Sequence, residues 1–308
     1  MPPLEGLPRG DPPAARPGRV LCGSTFGWRY AAPGRHRPGR RAPGSLTAAV
    51  VLVAVGGSGV PVVCLPMLGM SRVATAEALD AALAGWPGLR EVYPDLPGNG
   101  DSPGEGAADS QTVLDAVCRW VDGHLEGPVL LAGSSPGGCL AAGIARQRPD
   151  LARGVLLVCP RVCTGAADRD LPTDEPPSGE QGWREDAPAQ LRGHLDRALG
   201  RRPPEMVAAV LRALAAGGPG DEQYQDALTD GPGYALPDQA EELTFRGPVA
   251  AVVGRKRPDR WPRRPVPGSA ALPGHDVQPA RPRRALLPYE RPGMLRVLTE
   301  DWLRRCDA

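Results

Sequence analysis

At 308 residues the chain is long enough for one medium domain with an insertion, or two small ones, and it can bury a full core without staples. A net charge of +1 gives no bulk attraction to nucleic acid or to an anionic membrane. The seven cysteines are odd in number and scattered, and no CxxC pair occurs. That argues against a disulfide framework and a zinc site, and places the protein in a reducing, cytoplasmic compartment.

Residues 1–45 are rich in Pro, Gly and Arg and show no apolar periodicity, so they are predicted to be disordered or not native to the protein. Residues 48–70 carry no charge and are long enough to span a bilayer. The GGSG turn, Pro61 and Pro66 break any helix there, so the stretch reads as strand, turn, strand. Further apolar runs at 89–94, 127–133, 153–159 and 247–254 are short and bounded by Gly or Pro, as buried parallel strands are. Helical patterns alternate with them. One starts near Thr75. A second starts near Ser110 and carries an apolar stripe at 113, 114, 117, 120, 121 and 125. A third runs from about Pro136 to Arg148. This alternation predicts a mostly parallel, doubly wound α/β sheet. Residues 164–243 lack strand-like runs and are helical in patches at 188–199, 204–216 and 221–229, which predicts a helical insertion between two sheet strands. Residues 255–286 are dense in Arg and Pro with neither pattern, and 292–305 is an amphipathic helix opened by a proline.

The segment that carries chemistry is GPVLLAGSSPGG, residues 127–138. A buried strand runs into Gly-x-Ser-x-Gly and then into a helix. A serine on such a turn is exposed by strained backbone, and the small residues on either side let the turn close. The helix N-terminus then favours negative charge developing on a reacting oxygen. The alternative is a glycine-rich turn with a bystander serine, such as a phosphate loop. The segment lacks the GK[ST] ending and the spacing of a dinucleotide fingerprint.

With VVCLPMLGMSR, the DLPGNGDS run at 95–102 and RPDLARGVLLVCP, this segment resembles the α/β-hydrolase family, in particular its small capped bacterial hydrolases. The likeness covers 60–163 and resumes at 247–254 and 287–305. It implies an α/β-hydrolase fold with an eight-stranded sheet, a core at 46–163 and 244–308, and a helical cap at 164–243. It also implies a Ser–acid–His triad in that chain order, with Ser135 as nucleophile. No cofactor and no metal is implied, and the partner is a small-molecule substrate.

Three departures bear on activity. The residue after Ser135 is Pro136, which has no N–H to serve as half of the family's oxyanion hole. The family's His-Gly after the third strand is Pro66-Met67 here, and the Leu68 N–H is the candidate for the other donor. The family's acid and histidine positions hold Arg257 and Ala285, and neither can orient or act as a base. Asp259 is then the candidate for a displaced acid and His275 for a displaced base, although the spacing of His275 favours an exposed loop histidine. His36 falls in the first segment, His124 ends an amphipathic helix and His194 lies in the insertion, and all three read as solvent-facing. Read one base later, with a permissible choice of synonymous codons, residues 273–286 spell Ala-Thr-Thr-Tyr and Arg-Ala-Gly-His. The family places these phrases before and at its catalytic histidine. A pair of compensating frameshifts near 255 and 286 is thus one origin for the segment, and the DNA across codons 250–290 decides it.

The leading reading is a serine hydrolase of a small ester, amide or related compound. The rival is a catalytically impaired α/β-hydrolase-like protein or small-molecule binder. Nucleic-acid binding by the Arg-rich segments is disfavoured, since few aromatics accompany them. The oligomeric state is open.

Overall fold

The structure, a computed structural model, describes residues 29–31, 53–67, 69–160, 183–186, 203–217, 220–239, 241, 243–254, 276–280 and 286–308. Its strands are β1 (Arg29–Ala31), β2 (Val53–Gly57), β3 (Val60–Leu65), β4 (Leu89–Pro94), β5 (Val129–Ser134), β6 (Ala152–Val158), β7 (Val249–Gly254) and β8 (Asp276–Ala280). They form one eight-stranded sheet in the order β1-β2-β4-β3-β5-β6-β7-β8. β1 and β2, and β2 and β4, pair antiparallel, and every other neighbouring pair is parallel. The expected mostly parallel sheet is therefore present.

The uncharged stretch that begins this sheet folds as strand, turn, strand. β2 and β3 are joined by only Ser58 and Gly59, yet they are not neighbours, because β4 lies between them. The junction depends on glycine. Gly57 and Gly59 have φ of 70° and 129°, and a Cβ on either would run into the backbone carbonyl of Leu89 or Gly88.

Helices cover both faces. α2 (Ser110–His124) and α3 (Pro136–Gln147) lie on one face, where Val113, Val117, Leu140 and Ile144 pack against Leu131 and Leu157. α1 (Arg72–Leu83) and the last helix, α8 (Pro292–Arg305), lie on the other, where Leu79, Leu295 and Trp302 pack against Leu130 and Leu156. Leu130 and Leu131 serve opposite faces because side chains alternate along a strand. Both faces are dry, so β5 is buried at all six positions and its sequence shows an unbroken apolar run. Between β6 and β7 in the chain lie α4 (Trp183–Asp186), α5 (Pro204–Ala216) and α6 (Glu222–Asp230), and no strand among the described residues. α7 (Leu287–Glu290) precedes α8.

Three local expectations need correction. α1 starts at Arg72 and not near Thr75. The Ser71 side chain takes the cap, accepting from the Ala74 N–H at 3.3 Å, and Thr75 Oγ1 donates back to the Ser71 carbonyl at 2.8 Å. Ser and Thr both suit a cap, and the earlier one takes it. A short strand, β1, lies in the segment predicted to be disordered. Three residues are too few to carry a period, and pairing with β2 defines them. β8 lies in the stretch that shows no strand pattern. It pairs with β7 at the end of the sheet, where Pro279 is tolerated because an edge strand needs no second row of donors.

Glu91 is the outlying charge in this packing. On β4 it shares the face of Leu89 and Tyr93, under α1. Burial first, and then the nearby Asp80, push its carboxyl up from an ordinary 4.5 to about 7. Below pH 4.5 the group is protonated both folded and unfolded, so it has no effect. Between 4.5 and 7 the unfolded chain loses the proton more readily, so stability falls as pH rises and stays lower above 7. Glu91→Gln is expected to raise stability at pH 8 by roughly 1–2 kcal/mol, allowing for partial solvent screening, and to change nothing at pH 4. Urea denaturation at the two pH values checks this.

Candidate active site

β5 delivers the chain to Ser135, and α3 begins at the next residue. Ser135 has φ 55° and ψ −119°, a conformation that costs a side-chain-bearing residue about 1–3 kcal/mol. The surroundings enforce it. The Ser135 N–H donates to the Val158 carbonyl at 2.9 Å, which ties the turn to the end of β6. The Ser135 carbonyl accepts from the N–H groups of Gly138 and Cys139 at 3.0 and 3.3 Å. The glycines on either side are sterically required. A Cβ on Gly133 would strike the Gly137 carbonyl, and one on Gly137 would strike the carbonyls of Leu65 and Pro66. Ser135 itself is half-buried. Pro136 occupies the first position of α3, where a fixed φ suits the helix. The first backbone N–H of α3 therefore belongs to Gly137.

Two loops flank this turn at the same edge of the sheet. After β3, the Met70 N–H donates to the Met67 carbonyl at 3.1 Å and Gly69 takes φ 70°. After β4, residues 95–102 fold around Asp95, whose side chain is fully buried. Asp95 pairs with the Arg72 guanidinium and accepts from the Asp101 N–H at 3.2 Å. Arg72 reaches on to Asp101 at 2.7 Å. Gly100 closes over the Asp95 carboxylate so tightly that a Cβ would collide with it. Asn99 Nδ2 donates to the Met70 carbonyl at 3.0 Å and joins the two loops.

α6 is docked on the second loop. The Asp221 N–H and the Gln225 side chain both donate to the Gly98 carbonyl, at 2.8 and 2.6 Å. The Tyr224 hydroxyl donates to the Ala107 carbonyl at 3.0 Å, and its ring lies where a Cβ on Gly98 or Gly104 would be. A cleft opens between α6, this loop and the start of α3. Pro136 and Gly137, which follow Ser135 in the chain, line it with Met67, Leu96, Leu140 and Leu228.

Of the residues singled out in the sequence, Ser135 and Pro136 fall in this arrangement. Leu68, Asp259 and His275 lie outside the described residues, as do Arg257, Ala285, His36 and His194. His124 is described and exposed, as expected. Its ring stacks on Trp120 at 4.8 Å, and its Nδ1 lies 2.8 Å from the Trp120 carbonyl. It stands just before β5 begins, whereas Ser135 follows the end of β5. The six residues of that strand separate them by about 20 Å. Among the described residues, no group of three His, Cys, Asp or Glu side chains could hold a metal, and no helix is long and apolar enough to cross a membrane.

The Arg72–Asp95 pair has no role that the sequence pattern alone announces. The available signal was an aspartate directly after a buried strand, ahead of the turn-forming Pro97-Gly98-Asn99-Gly100. Arg72→Met strands the Asp95 charge and is expected to cost about 3–5 kcal/mol. Adding Asp95→Asn is expected to recover part of that loss. Denaturant midpoints of the single and double variants check it.

No protein-family model matches the sequence, and no curated protein is significantly similar to it. Solved structures match closely in architecture. An alpha/beta superfamily hydrolase from Oenococcus oeni is 19% identical with a TM-score of 0.66, covering 84% of this chain and 97% of its own. A putative epoxide hydrolase from Pseudomonas aeruginosa is 17% identical with a TM-score of 0.64, covering 94% and 99%. A thermophilic esterase from Thermogutta terrifontis is 19% identical with a TM-score of 0.56, covering 84% and 95%. With its sheet order and strained strand-to-helix turn, the chain has the α/β-hydrolase fold.

Proposed function

We propose that the protein is a serine hydrolase that cleaves a small ester, amide or related substrate through Ser135. The observation that carries this reading is the backbone of Ser135. A non-glycine residue is held at φ 55° and ψ −119° between two obligatory glycines, at the N-terminus of a helix whose first two residues, Pro136 and Gly137, line a cleft. Such strain is retained where it presents a side chain for chemistry. The fold neighbours include a hydrolase and an esterase, which agrees with this reading.

In the proposed reaction Ser135 Oγ adds to the substrate carbonyl while its proton passes to a base. The leaving alcohol or amine departs with that proton, and water then releases the acid. The N-terminal end of α3 favours the negative charge that develops on the carbonyl oxygen. The candidates for the displaced base and acid are His275 and Asp259, and the candidate for one oxyanion donor is the Leu68 N–H. In this reading the insertion at 164–243 acts as a cap that limits water in the cleft. The substrate is the partner, with no cofactor, and the site of action is the cytoplasm. The described cysteines are all free thiols, which suits that compartment.

Pro136 favours a second reading, a catalytically impaired hydrolase-like binder, because proline supplies no N–H where the fold's chemistry uses one. Losing one such donor costs about 10²–10³ in rate.

Hydrolysis of p-nitrophenyl acetate distinguishes the two. The serine-hydrolase reading expects turnover that Ser135→Ala abolishes and His275→Ala reduces sharply. Pro136→Ala restores an N–H and is expected to raise turnover by about 10–10³-fold. A folded protein that is inert both as wild type and as Pro136→Ala supports the binder.

A further inference from the structure

We propose that Asn99 is a modification site: it loses its side-chain amide by attack of the Gly100 backbone nitrogen, and the aspartate or isoaspartate left behind unlatches the two loops that Asn99 joins. The proposal holds whether or not Ser135 is a nucleophile.

The first argument is the dipeptide. Asn99 is the only asparagine in the chain, and glycine follows it. Asparagine is a thermally labile residue. Its loss requires the next backbone nitrogen to reach the side-chain carbonyl carbon, and a residue without Cβ leaves that approach least obstructed. The glycine here is not exchangeable. Gly100 has φ 54°, and a Cβ on it would lie 2.5 Å from both carboxylate oxygens of the buried Asp95. The packing of the Arg72–Asp95 loop thus keeps a glycine after Asn99. Gly100 is half-buried, and among the described residues its N–H donates no hydrogen bond, so no acceptor holds the attacking nitrogen.

The chemistry needs only water and a base. The Gly100 nitrogen gives its proton to the base and forms a bond to Asn99 Cγ. The Cγ–Nδ2 bond breaks, and the amide nitrogen takes up a proton and leaves as ammonia. Water then opens the five-membered succinimide. Opening at one carbonyl gives aspartate. Opening at the other gives isoaspartate, in which the main chain runs through the former side chain.

The second argument is what the amide does in the fold. Asn99 is 6% exposed, and its Nδ2 donates to the Met70 carbonyl at 3.0 Å. Its N–H donates to the Leu96 carbonyl at 2.8 Å, and its carbonyl accepts from the Ser102 N–H at 2.9 Å. The reaction therefore waits for a local opening of the loop. Afterwards the carboxylate has no hydrogen to donate to the Met70 carbonyl. It is also a further negative charge in a loop where Arg72 already serves Asp95 and Asp101. Isoaspartate adds a methylene to the main chain directly after Gly98, whose carbonyl receives both donors from α6. Both products weaken the tie between the loops after β3 and β4, and they loosen α6.

Two measurements test this, and neither needs turnover. Full-length protein is kept warm at mildly alkaline pH, with and without denaturing urea, and followed by peptide mass mapping. The peptide holding Asn99 is expected to gain the mass of deamidation in both, about tenfold or more faster in urea. Asn99→Gln, which would have to close a six-membered ring, is expected to gain none over the same time. Isoaspartate formed at Asp122-Gly123 or Asp230-Gly231 changes no mass, so the signal belongs to Asn99. Hydrogen exchange of the aged protein, and of Asn99→Asp, is then compared with that of fresh protein. Amides of α6 are expected to exchange about tenfold or more faster in both, while those of β5 keep their rate. The aged wild type carries this comparison if Asn99→Asp does not fold.

A folded protein that gains no mass at Asn99 while the urea-unfolded chain does overturns the modification site. Mass gain with unchanged exchange of α6 overturns the latch.

Discussion

The backbone at Ser135 is held where a residue with a side chain does not rest by itself, and the neighbouring structure is arranged around that constraint. The N–H of Ser135 is fixed to the end of β6, and its carbonyl to the first turn of α3. Gly133 and Gly137 approach each other so closely that no side chain fits at either position. Gly137 also lies against the carbonyls at the end of β3, so the turn is locked to the neighbouring strand on each side of β5. The strain of about 1–3 kcal/mol is sustained by a core in which β3, β5 and β6 are covered on both faces.

The second organising element is the loop after β4. Asp95 and Arg72 form a buried pair that folds residues 95–102 back on themselves, and Asn99 ties this loop to the one after β3. The carbonyl of Gly98 then receives both donors from α6. One loop thus connects the sheet edge that carries Ser135 with the helix whose Leu228 walls the cleft. A buried charge at Asp95 is costly, and its partner and backbone donors offset that cost while fixing a single loop geometry.

Much of this was legible in the sequence. β4 has the predicted bounds, and α3 and α8 fall within a residue of theirs, because buried parallel strands are unbroken apolar runs and the helices begin at Pro136 and Pro292. The requirement for small residues on either side of Ser135 was legible too, and steric contact at Gly133 and Gly137 is its cause. Other features were not. β1 and β8 are edge strands of three and five residues, defined by a neighbour's free edge and not by their own pattern. The start of α1 was misplaced because two cap-forming residues compete within one turn. The Arg72–Asp95 pair spans 23 positions, and nothing local in the sequence joins them. The acid and base of a triad could not be read at Arg257 and Ala285, because those side chains lack the chemistry.

Ser135 is proposed as a nucleophile and not merely a strained turn residue. The most direct measurement is the intact mass of the folded full-length protein after exposure to a fluorophosphonate, followed by peptide mapping of the adduct. The account predicts one adduct per chain, located on Ser135 and absent from Ser135→Ala. A folded protein that takes up no label, or takes it up equally when Ser135 is alanine, would contradict it.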